Sequence, residues 1–352
     1  MKFDYLIVGS GLAGLVLCET LRNRGKSFKV VSNTSQQASI VASGLYNPVV
    51  LKRFNTAWNA NTQLPLALST YKDLEKFLGI KVDHQLPIYR VFHAAKEQNN
   101  WFLACDKPDL QPFLVPKVVI NDNTNINAPF GYGEVKQTGR VDTKLLLESY
   151  VSSLKSKGLY IEETFNYKAL DLQMGVNYKG LLAKQLIFAE GFGLKQNPFF
   201  NKLPLEGTKG ELLLIHAPKL KSEVILKSSV FVIPIGSDKY LVGSTYAWND
   251  YTNAPTESAR TSIINKLQKL LNCSFEILQQ RAGIRPTVID RRPLVGQHKV
   301  HKNLYVLNGL GSRGVLVAPT VAINLIDFIE KGLALPKAID INRFAPKISL
   351  PS

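Results

Sequence analysis

The chain has 352 residues, 45% of them hydrophobic, a formal net charge of +16 and only three cysteines. This length and apolar content suit two domains with a sizeable core, and the scattered cysteines exclude a disulfide framework. No apolar run approaches twenty residues and no signal peptide is evident, so we expect a soluble, cytoplasmic protein without a membrane span.

The positive charge has two interpretations. It could attract an anionic partner such as RNA, or it could reflect a lysine-rich solvated surface. The cations are dispersed: Lys219, Lys221 and Lys227, for example, are separated by apolar, polar and acidic residues. Dispersion slightly favours the solvated surface.

Residues 4–33 predict a strand, a glycine-rich turn, a helix and a second strand. The apolar run 4–8 is typical of a buried parallel strand, and it leads into G-x-G-x-x-G at residues 9–14. In a dinucleotide fingerprint, Gly9 permits the tight turn, Gly11 lets the backbone approach a pyrophosphate, and Gly14 lets the helix lie against the strand. The flanking elements make packing alone the weaker explanation for these glycines.

The end of the second strand departs from the fingerprint. An acidic residue normally binds the adenosine ribose there, whereas this chain has Ser32 and Asn33. A neutral hydrogen bond contributes about 0.5–1.5 kcal/mol, against roughly 1.5–3 kcal/mol for one to a charged group. We therefore expect weaker binding of the ribose, and the absence of Arg or Lys in the next few positions argues against NADP.

The middle of the chain predicts a loop at 38–49, a helix at 64–78, and short β-like pieces with an Asn-rich loop between 88 and 134. A helix follows at 143–155 with Asp142 as its N-cap, then a strand at 184–191. Three or four strands between 210 and 248 predict an antiparallel sheet, and a helix follows at 257–271.

The end of the chain repeats the opening pattern. A strand at 303–308 leads into a second G-x-G-x-x-G at 309–314 and a long apolar helix at 315–331. A helix N-terminus carries about half a positive charge and free N–H groups, so it suits an anion. We hypothesise that both chain ends meet on one FAD, with one helix N-terminus at the pyrophosphate and the other near the flavin.

Several motifs in order resemble the D-amino acid oxidase, glycine oxidase and sarcosine oxidase superfamily. They are the first G-x-G-x-x-G, A-S-G at 42–44, F-A-E-G at 188–191, A-G-I-R-P-T at 282–287 and G-S-R-G-V at 311–315. The last stretch looks most like the FAD oxidase domain of the bifunctional tRNA wobble-uridine modification enzyme.

The resemblance implies an α/β fold with an FAD-binding, Rossmann-like domain and an inserted α+β substrate domain with an antiparallel sheet. It implies an FAD-binding domain made of residues 1–87, 135–205 and 277–352, and a substrate domain made of 88–134 and 206–276. We expect a non-covalent FAD, since no Cys or His matches the positions of covalent attachment. The expected cofactor-binding residues are Gly9, Gly11, Leu12, Ala13, Gly14, Ser32, Asn33, Ser43, Gly44, Leu45, Gly191, Gly311, Ser312, Arg313, Gly314 and Val315.

The resemblance also implies that Arg285 binds a substrate carboxylate, with Arg313 and Tyr246 as further candidate catalytic residues. A guanidinium suits this role because it binds a carboxylate through two parallel hydrogen bonds. From the residues alone, Arg285 could equally tie down a loop before Pro286, and Tyr246, Trp248 and Tyr46 could be core aromatics. His298 and His301 lack an evident third ligand, so no metal site is predicted.

Three functions remain open. The first is an FAD-dependent oxidase of the CH–NH bond of an amino acid or N-substituted glycine, which gives an imine that hydrolyses. The second is a tRNA wobble-uridine oxidase acting on a carboxymethylaminomethyl group, which is itself an N-alkyl glycine. The third is a flavin-binding module without turnover. The oligomeric state is not predicted.

Overall fold

The computed structural model describes residues 2–33 and 35–347. Its helices are α1 (Leu12–Asn23), α2 (Ala38–Val41), α3 (Ala60–Leu78), α4 (Ala95–Cys105), α5 (Thr143–Ser156), α6 (Glu257–Gln268) and α7 (Gly314–Lys331). The strands up to residue 141 are β1 (Lys2–Val8), β2 (Phe28–Ser32), β3 (Leu45–Tyr46), β4 (Val49–Val50), β5 (Asn55–Thr56), β6 (Asp83–Gln85), β7 (Ile88–Val91), β8 (Leu114–Val119), β9 (Tyr132–Val135) and β10 (Gly139–Val141). The later strands are β11 (Tyr160–Glu162), β12 (Leu170–Asp171), β13 (Val176–Tyr178), β14 (Leu181–Phe188), β15 (Leu205–His216), β16 (Ile225–Lys227), β17 (Phe231–Pro234), β18 (Lys239–Gly243), β19 (Glu276–Val288), β20 (Leu294–Gln297) and β21 (Leu304–Asn308).

The first large sheet is mainly parallel. Its parallel strands lie in the order β11-β2-β1-β14-β21, and β20 adds an antiparallel edge. Numbered along the chain, this is the 3-2-1-4-5 order of a doubly wound dinucleotide fold, in which ligands bind beyond the carboxyl ends of the strands. The predicted Rossmann-like sheet is confirmed.

Helix α7, from the last part of the chain, packs against helices from its first part. It packs against α1 and α3, and its buried face includes Leu316, Val321 and Leu325. The segment 311–331 is long and apolar enough to cross a membrane by length and composition, and half of that window is buried inside the protein. Its apolar character is explained by burial between other helices, since a helix that is apolar on most sides needs a core around it.

The second large sheet carries the other wall of the molecule. Its strands run β19-β15-β18-β17-β16-β7-β9-β8, with neighbours antiparallel except β16 and β7. Helix α6 packs on β15 and β18 through Ile263 and Leu267. This is the predicted antiparallel sheet, with β7, β8 and β9 supplied by an earlier segment of the chain.

Two local expectations were wrong. The predicted loop at 38–49 contains the short helix α2, and the region from 88 to 134 contains α4, whose buried Trp101, Ala104 and Cys105 follow helical spacing. Residues 276–288 form one long strand, β19, despite Pro286. Proline is tolerated there because β19 is an edge strand.

The boundary at residue 277 also differs from the sheet pairing. The predicted division assigns residues beyond 276 to the FAD-binding domain, whereas β19 pairs with β15 as far as Val288. The rest of the five-segment division remains a prediction.

Candidate active site

One cavity of about 1440 Å³ lies between the carboxyl ends of the parallel strands and the second sheet. Drug-sized ligands occupy pockets of about 300–1,000 Å³, so this cavity has room for a dinucleotide and a substrate together. Both glycine-rich turns line it, at residues 9–11 and 311–314. The two chain ends therefore meet on one cavity, as the sequence predicts.

The first glycine-rich turn has the shape that a pyrophosphate site requires. Gly9 takes φ = 107°, and a Cβ there would lie 2.4 Å from the carbonyl oxygen of Ala189. A Cβ on Gly14 would lie 2.0 Å from the carbonyl oxygen of Gly9. Gly14 thus packs α1 against the turn, and it is not among the residues that line the cavity.

The N-terminus of α1 opens into the cavity, and its N-cap residue has no side chain that could accept a hydrogen bond. Gly11 is the N-cap residue, and the N–H of Leu12 donates to the Ser39 hydroxyl at 3.2 Å. Uncapped N–H groups at the positive end of a helix form an anion site. The cradle of glycines and this helix end both fit the diphosphate of FAD.

At the end of β2, hydroxyl groups take the place of the expected carboxylate. Ser32 Oγ accepts hydrogen bonds from the N–H of Ser10 (3.1 Å) and from Ser10 Oγ (2.9 Å). The Tyr160 hydroxyl lies 3.3 Å from Ser10 Oγ. In contrast, both polar atoms of the Asn33 side chain already have partners in the chain: its Nδ2 donates to Thr164, and its Oδ1 accepts from the N–H and hydroxyl of Ser35. Ser32, Ser10 and Tyr160 are therefore the residues that would hold the ribose, with Asn33 beside them.

The structure brings nearly all of the expected cofactor-binding residues to the cavity wall. Those on the wall are Gly9, Gly11, Leu12, Ala13, Ser32, Asn33, Ser43, Gly44, Leu45, Gly191, Gly311, Ser312, Arg313, Gly314 and Val315. Their individual contacts with FAD stay predictions.

Arg285 extends from β19 across the neighbouring strand into the cavity. A Cβ on Gly210 of β15 would lie 1.8 Å from Nη2 of Arg285, so the guanidinium occupies the space that this glycine leaves free. Nη2 donates to Ser244 Oγ at 2.8 Å, and Nη1 to the carbonyl of Thr245 at 3.3 Å. The Tyr246 ring lies 4.6 Å from the guanidinium carbon. Arg285 is thus held by three neighbours and reaches the cavity rather than a loop.

Arg313 approaches the same region from the N-terminus of α7. Its Nη1 donates to the carbonyl of Asn47 at 3.5 Å. Burial lowers the pKa of both Arg285 and Arg313, and the nearby Tyr246 opposes that shift in each. Among the described residues, neither guanidinium lies within 4.0 Å of a carboxylate. An arginine stays charged under these conditions, so the region carries uncompensated positive charge.

The aromatic candidates Tyr246, Trp248 and Tyr46 differ in exposure and in whether they line the cavity. Tyr246 lines the cavity and is 60% exposed, so it is not a core residue. Trp248 is 50% exposed and lies off the cavity wall. Tyr46 is 3% exposed and its hydroxyl donates to Asp83 at 2.9 Å, which places it in the core.

Several wall residues were not found from the sequence. Buried Asn308 at the end of β21 donates to the carbonyl of Gly191 at 2.9 Å. Tyr160 lies on β11, a strand that the sequence analysis missed although it follows a helix stop at Gly158. Lys227 and Lys266 carried no local signal, since a single lysine on a strand or helix usually faces solvent.

A 3-2-1-4-5 parallel sheet with a glycine cradle, joined to an antiparallel sheet that aims arginines into the same cavity, is the arrangement of a flavoprotein oxidoreductase. The family model for FAD dependent oxidoreductases (DAO) matches residues 4–327. The chain belongs to this family and is an FAD-dependent oxidoreductase. The family resemblance and the cofactor expected from the sequence are thereby confirmed.

Curated relatives are similar at low identity. The bifunctional protein ThiO/ThiG of Trichormus variabilis is 22% identical over 373 residues, which cover 99% of this chain and 56% of that protein. The tRNA 5-methylaminomethyl-2-thiouridine biosynthesis bifunctional protein MnmC of Legionella pneumophila is 22% identical over 371 residues, covering 94% and 54%. The chain spans about half the length of these two relatives.

Solved structures share the fold over nearly the whole chain. Glycine oxidase from Bacillus cereus superposes with a TM-score of 0.79 at 20% identity, covering 95% of this chain and 99% of that chain. Iminodiacetate oxidase (IdaA) from Chelativorans sp. gives a TM-score of 0.76 at 16% identity, covering 95% and 97%. At these identities the likeness shows the fold.

Proposed function

We propose that this enzyme oxidises the CH–NH bond of an amino acid or an N-substituted glycine. One observation carries the proposal: Arg285 and Arg313 both line the cavity beside Tyr246, and in the described chain neither guanidinium has a carboxylate within 4.0 Å. Leaving a partly buried charge unpaired is unfavourable, so a ligand carboxylate that fills this position gains from both guanidinium groups.

In the proposed reaction, the substrate loses a hydride from its α-carbon and a proton from its nitrogen, becoming an imine. A bound FAD would supply the acceptor for the hydride and its two electrons, and the proton passes to solvent. Water then adds to the imine carbon and the C–N bond breaks, giving an amine and a keto or aldehyde acid. Arg285 fixes the carboxylate and hence the orientation of the α-carbon.

We further propose that FAD is held without a covalent bond, since the described residues that line the cavity include no Cys or His. A cytoplasmic location accords with free Cys18 and Cys105, both of them buried.

Anaerobic reduction of the bound flavin tests this function. Glycine, N-methylglycine and iminodiacetate are added to the holoenzyme, and the flavin absorbance is followed. Reduction by at least one of them is expected in the wild type, and Arg285→Ala should reduce more slowly at equal amine concentration while retaining FAD. An oxidised flavin with every amine would overturn the proposal and favour a binding module without turnover. Loss of FAD in Arg285→Ala would instead assign the arginine a structural role.

A second candidate is oxidation of a carboxymethylaminomethyl group on tRNA. The net charge of +16 and the similarity to MnmC favour it. Retention of the protein on immobilised tRNA, measured at rising salt, distinguishes this candidate, because phosphate contacts weaken steeply with salt. Absence of binding at low salt would exclude it.

A further inference from the structure

We propose that the cavity contains a second anion site, formed by Lys52, Lys227 and Lys266, that binds a phosphate group of an extended substrate. This inference rests on the proposed function, because it places the second anion on the same substrate whose carboxylate meets Arg285. All three lysines line the cavity, together with the hydroxyl-bearing Ser229 and Ser262. Ammonium and hydroxyl donors are the groups that bind phosphate oxygens.

Three separate elements bring the lysines to one end of the cavity. Lys227 ends β16 and pairs with Arg90 of β7, whose Nη1 donates to the carbonyl of Leu51 at 2.6 Å. That hydrogen bond ties β7 to the turn that carries Lys52, which lies on the wall of the same cavity. Lys266 comes from the last turn of α6, one helical turn beyond Ser262.

Lys227 is half-buried and lies beside other cations. Its ammonium lies 4.6 Å from the centre of the Phe231 ring and donates to the carbonyl of Ser228 at 2.6 Å. Burial, and then the charges of Arg90 and Lys266, lower its pKa to about 8. The charged groups that face it are therefore cations, and an arriving anion would relieve their mutual repulsion.

The carboxylates of the cavity lie at its other end. Those on the wall are Glu148, Glu162, Glu163 and Glu190, which belong to α5, to β11 and the residue after it, and to the turn that follows β14. Each is part of the parallel-sheet region, where the nucleotide is expected. In the described part of the chain, none of the three lysines has a carboxylate within 4.0 Å. The carboxylates of the cavity thus lie near the parallel sheet, where Lys155 and Lys179 pair with Glu162 and Glu163, and not beside Lys227 and Lys266.

The distance between the two anion sites determines how long a ligand must be to contact both. The Arg285 guanidinium lies over Gly210 of β15, and the Lys227 ammonium lies over Phe231 of β17. Lys227, Phe231, Gly243 and Leu212 form one row across the sheet, two residues beyond Gly210. Two strand spacings of ~4.8 Å and two residues of ~3.4 Å put the sites roughly 12 Å apart.

A small amino dicarboxylate is too short for this distance. Four single bonds of ~1.5 Å separate the two carboxyl carbons of iminodiacetate, which leaves them only about 5 Å apart. A nucleotide whose base carries an N-alkyl glycine has both a carboxylate and a phosphate, with the length of the base and sugar between them. We therefore assign the second site to the phosphate of a nucleotide, either free or within an RNA strand.

The test uses the FAD-loaded protein and the perturbation of flavin absorbance on titration. Inorganic phosphate, uridine 5′-monophosphate and an RNA stem-loop are titrated into the wild type, Lys227→Met and the exposed-lysine control Lys117→Met. Binding is expected in the wild type, with a roughly 10- to 100-fold loss in Lys227→Met and no change in Lys117→Met. Should Lys227→Met fail to fold, Lys52→Met, an exposed position on the same wall, provides the loss.

Equal weakening in Lys227→Met and Lys117→Met, or no binding by any of the probes, would overturn the second site. Tighter binding of the stem-loop than of the mononucleotide assigns the phosphate to RNA, and equal affinity assigns it to a free nucleotide. The function fails separately: if phosphate binds but no amine reduces the flavin, the site stands and the proposed oxidation does not. Arg285→Ala should leave phosphate binding unchanged.

Discussion

The guanidinium of Arg285 lies directly over Gly210, at a position where a methyl group would come within 1.8 Å of Nη2. The two residues belong to adjacent strands, β19 and β15, that pair along their length. The absence of a side chain at Gly210 is therefore what lets Arg285 reach the cavity. A glycine and an arginine form one functional unit here.

Gly210→Ala should displace the guanidinium and leave the fold intact, because the obstructed atoms are the far end of a flexible side chain. We expect KM for a carboxylate substrate to rise roughly 10- to 100-fold, the loss of a charged hydrogen bond. FAD content and Tm serve as controls and should match the wild type. Unchanged KM would mean that the guanidinium does not bind the carboxylate from this position.

Ser32→Asp should tighten FAD binding. A charged acceptor at the end of β2 gains about 1 kcal/mol over a hydroxyl, equivalent to roughly fivefold in Kd. The measurement is quenching of FAD fluorescence on addition of apoprotein. Asn33→Asp is the matched control, because the Asn33 side chain is engaged by Thr164 and Ser35 and a carboxylate there should give no gain. Weaker binding by Ser32→Asp would show that the ribose does not contact Ser32.

Asp250→Asn should lower Tm at neutral pH. Lys209 is 0% exposed, and its ammonium donates to Asp250 at 2.6 Å and to Thr252 at 3.1 Å. The variant leaves a buried ammonium without its carboxylate. Adding Lys209→Met to Asp250→Asn should restore part of the lost stability, whereas a further drop would show that Lys209 stabilises through packing alone.

The same pair predicts an acid dependence. The hydrogen bond from Lys209 lowers the pKa of Asp250 from 3.8 to about 2. Since the folded pKa is depressed, the stabilisation is complete above about pH 4 and is lost as the pH falls towards 2. Between pH 5 and pH 2, the Tm of the wild type should fall more steeply with decreasing pH than the Tm of Asp250→Asn. If Tm falls equally with pH in both proteins, the loss of stability in acid arises from other carboxylates.

Anion affinity should fall as the pH rises through about 8. An anion binds the protonated form of Lys227, whose pKa lies near that value, while Arg90 beside it stays charged. Lys266 and Lys52 also face the site and set the residual affinity. Sulfate is the probe, because its own charge is constant over this range. Sulfate is titrated into each protein at pH 7 and at pH 9. The Kd for sulfate should change more between these two pH values in the wild type than in Lys227→Met.

Features that depend on residues close together in the sequence could be predicted. The turns at Gly9 and Gly311, the cap at Asp142 and the strand-helix-strand order all depend on neighbouring residues, and the structure has each of them. The meeting of both ends on one cavity followed because carboxyl ends of parallel strands share one edge of a sheet.

The remaining site features depend on distant pairings. Gly210 has no special φ and no motif of its own, and its role exists only because β19 lies beside it. Lys52, Lys227 and Lys266 are far apart in the sequence and meet through separate elements. Helix α4 was missed because its polar residues hid the spacing of Trp101, Ala104 and Cys105.

Helix α7 and β21 have a consequence for synthesis on the ribosome. Strand β14 pairs with β1 from the start of the chain and with β21 from its last part, and α7 covers α1. Domains usually fold from the N-terminus as the chain emerges. Here the apolar surface of β1 and α1 is covered only after residues 304–331 have been synthesised. A nascent chain stalled before that point would expose the N-terminal helix to chaperones and could not yet capture the flavin.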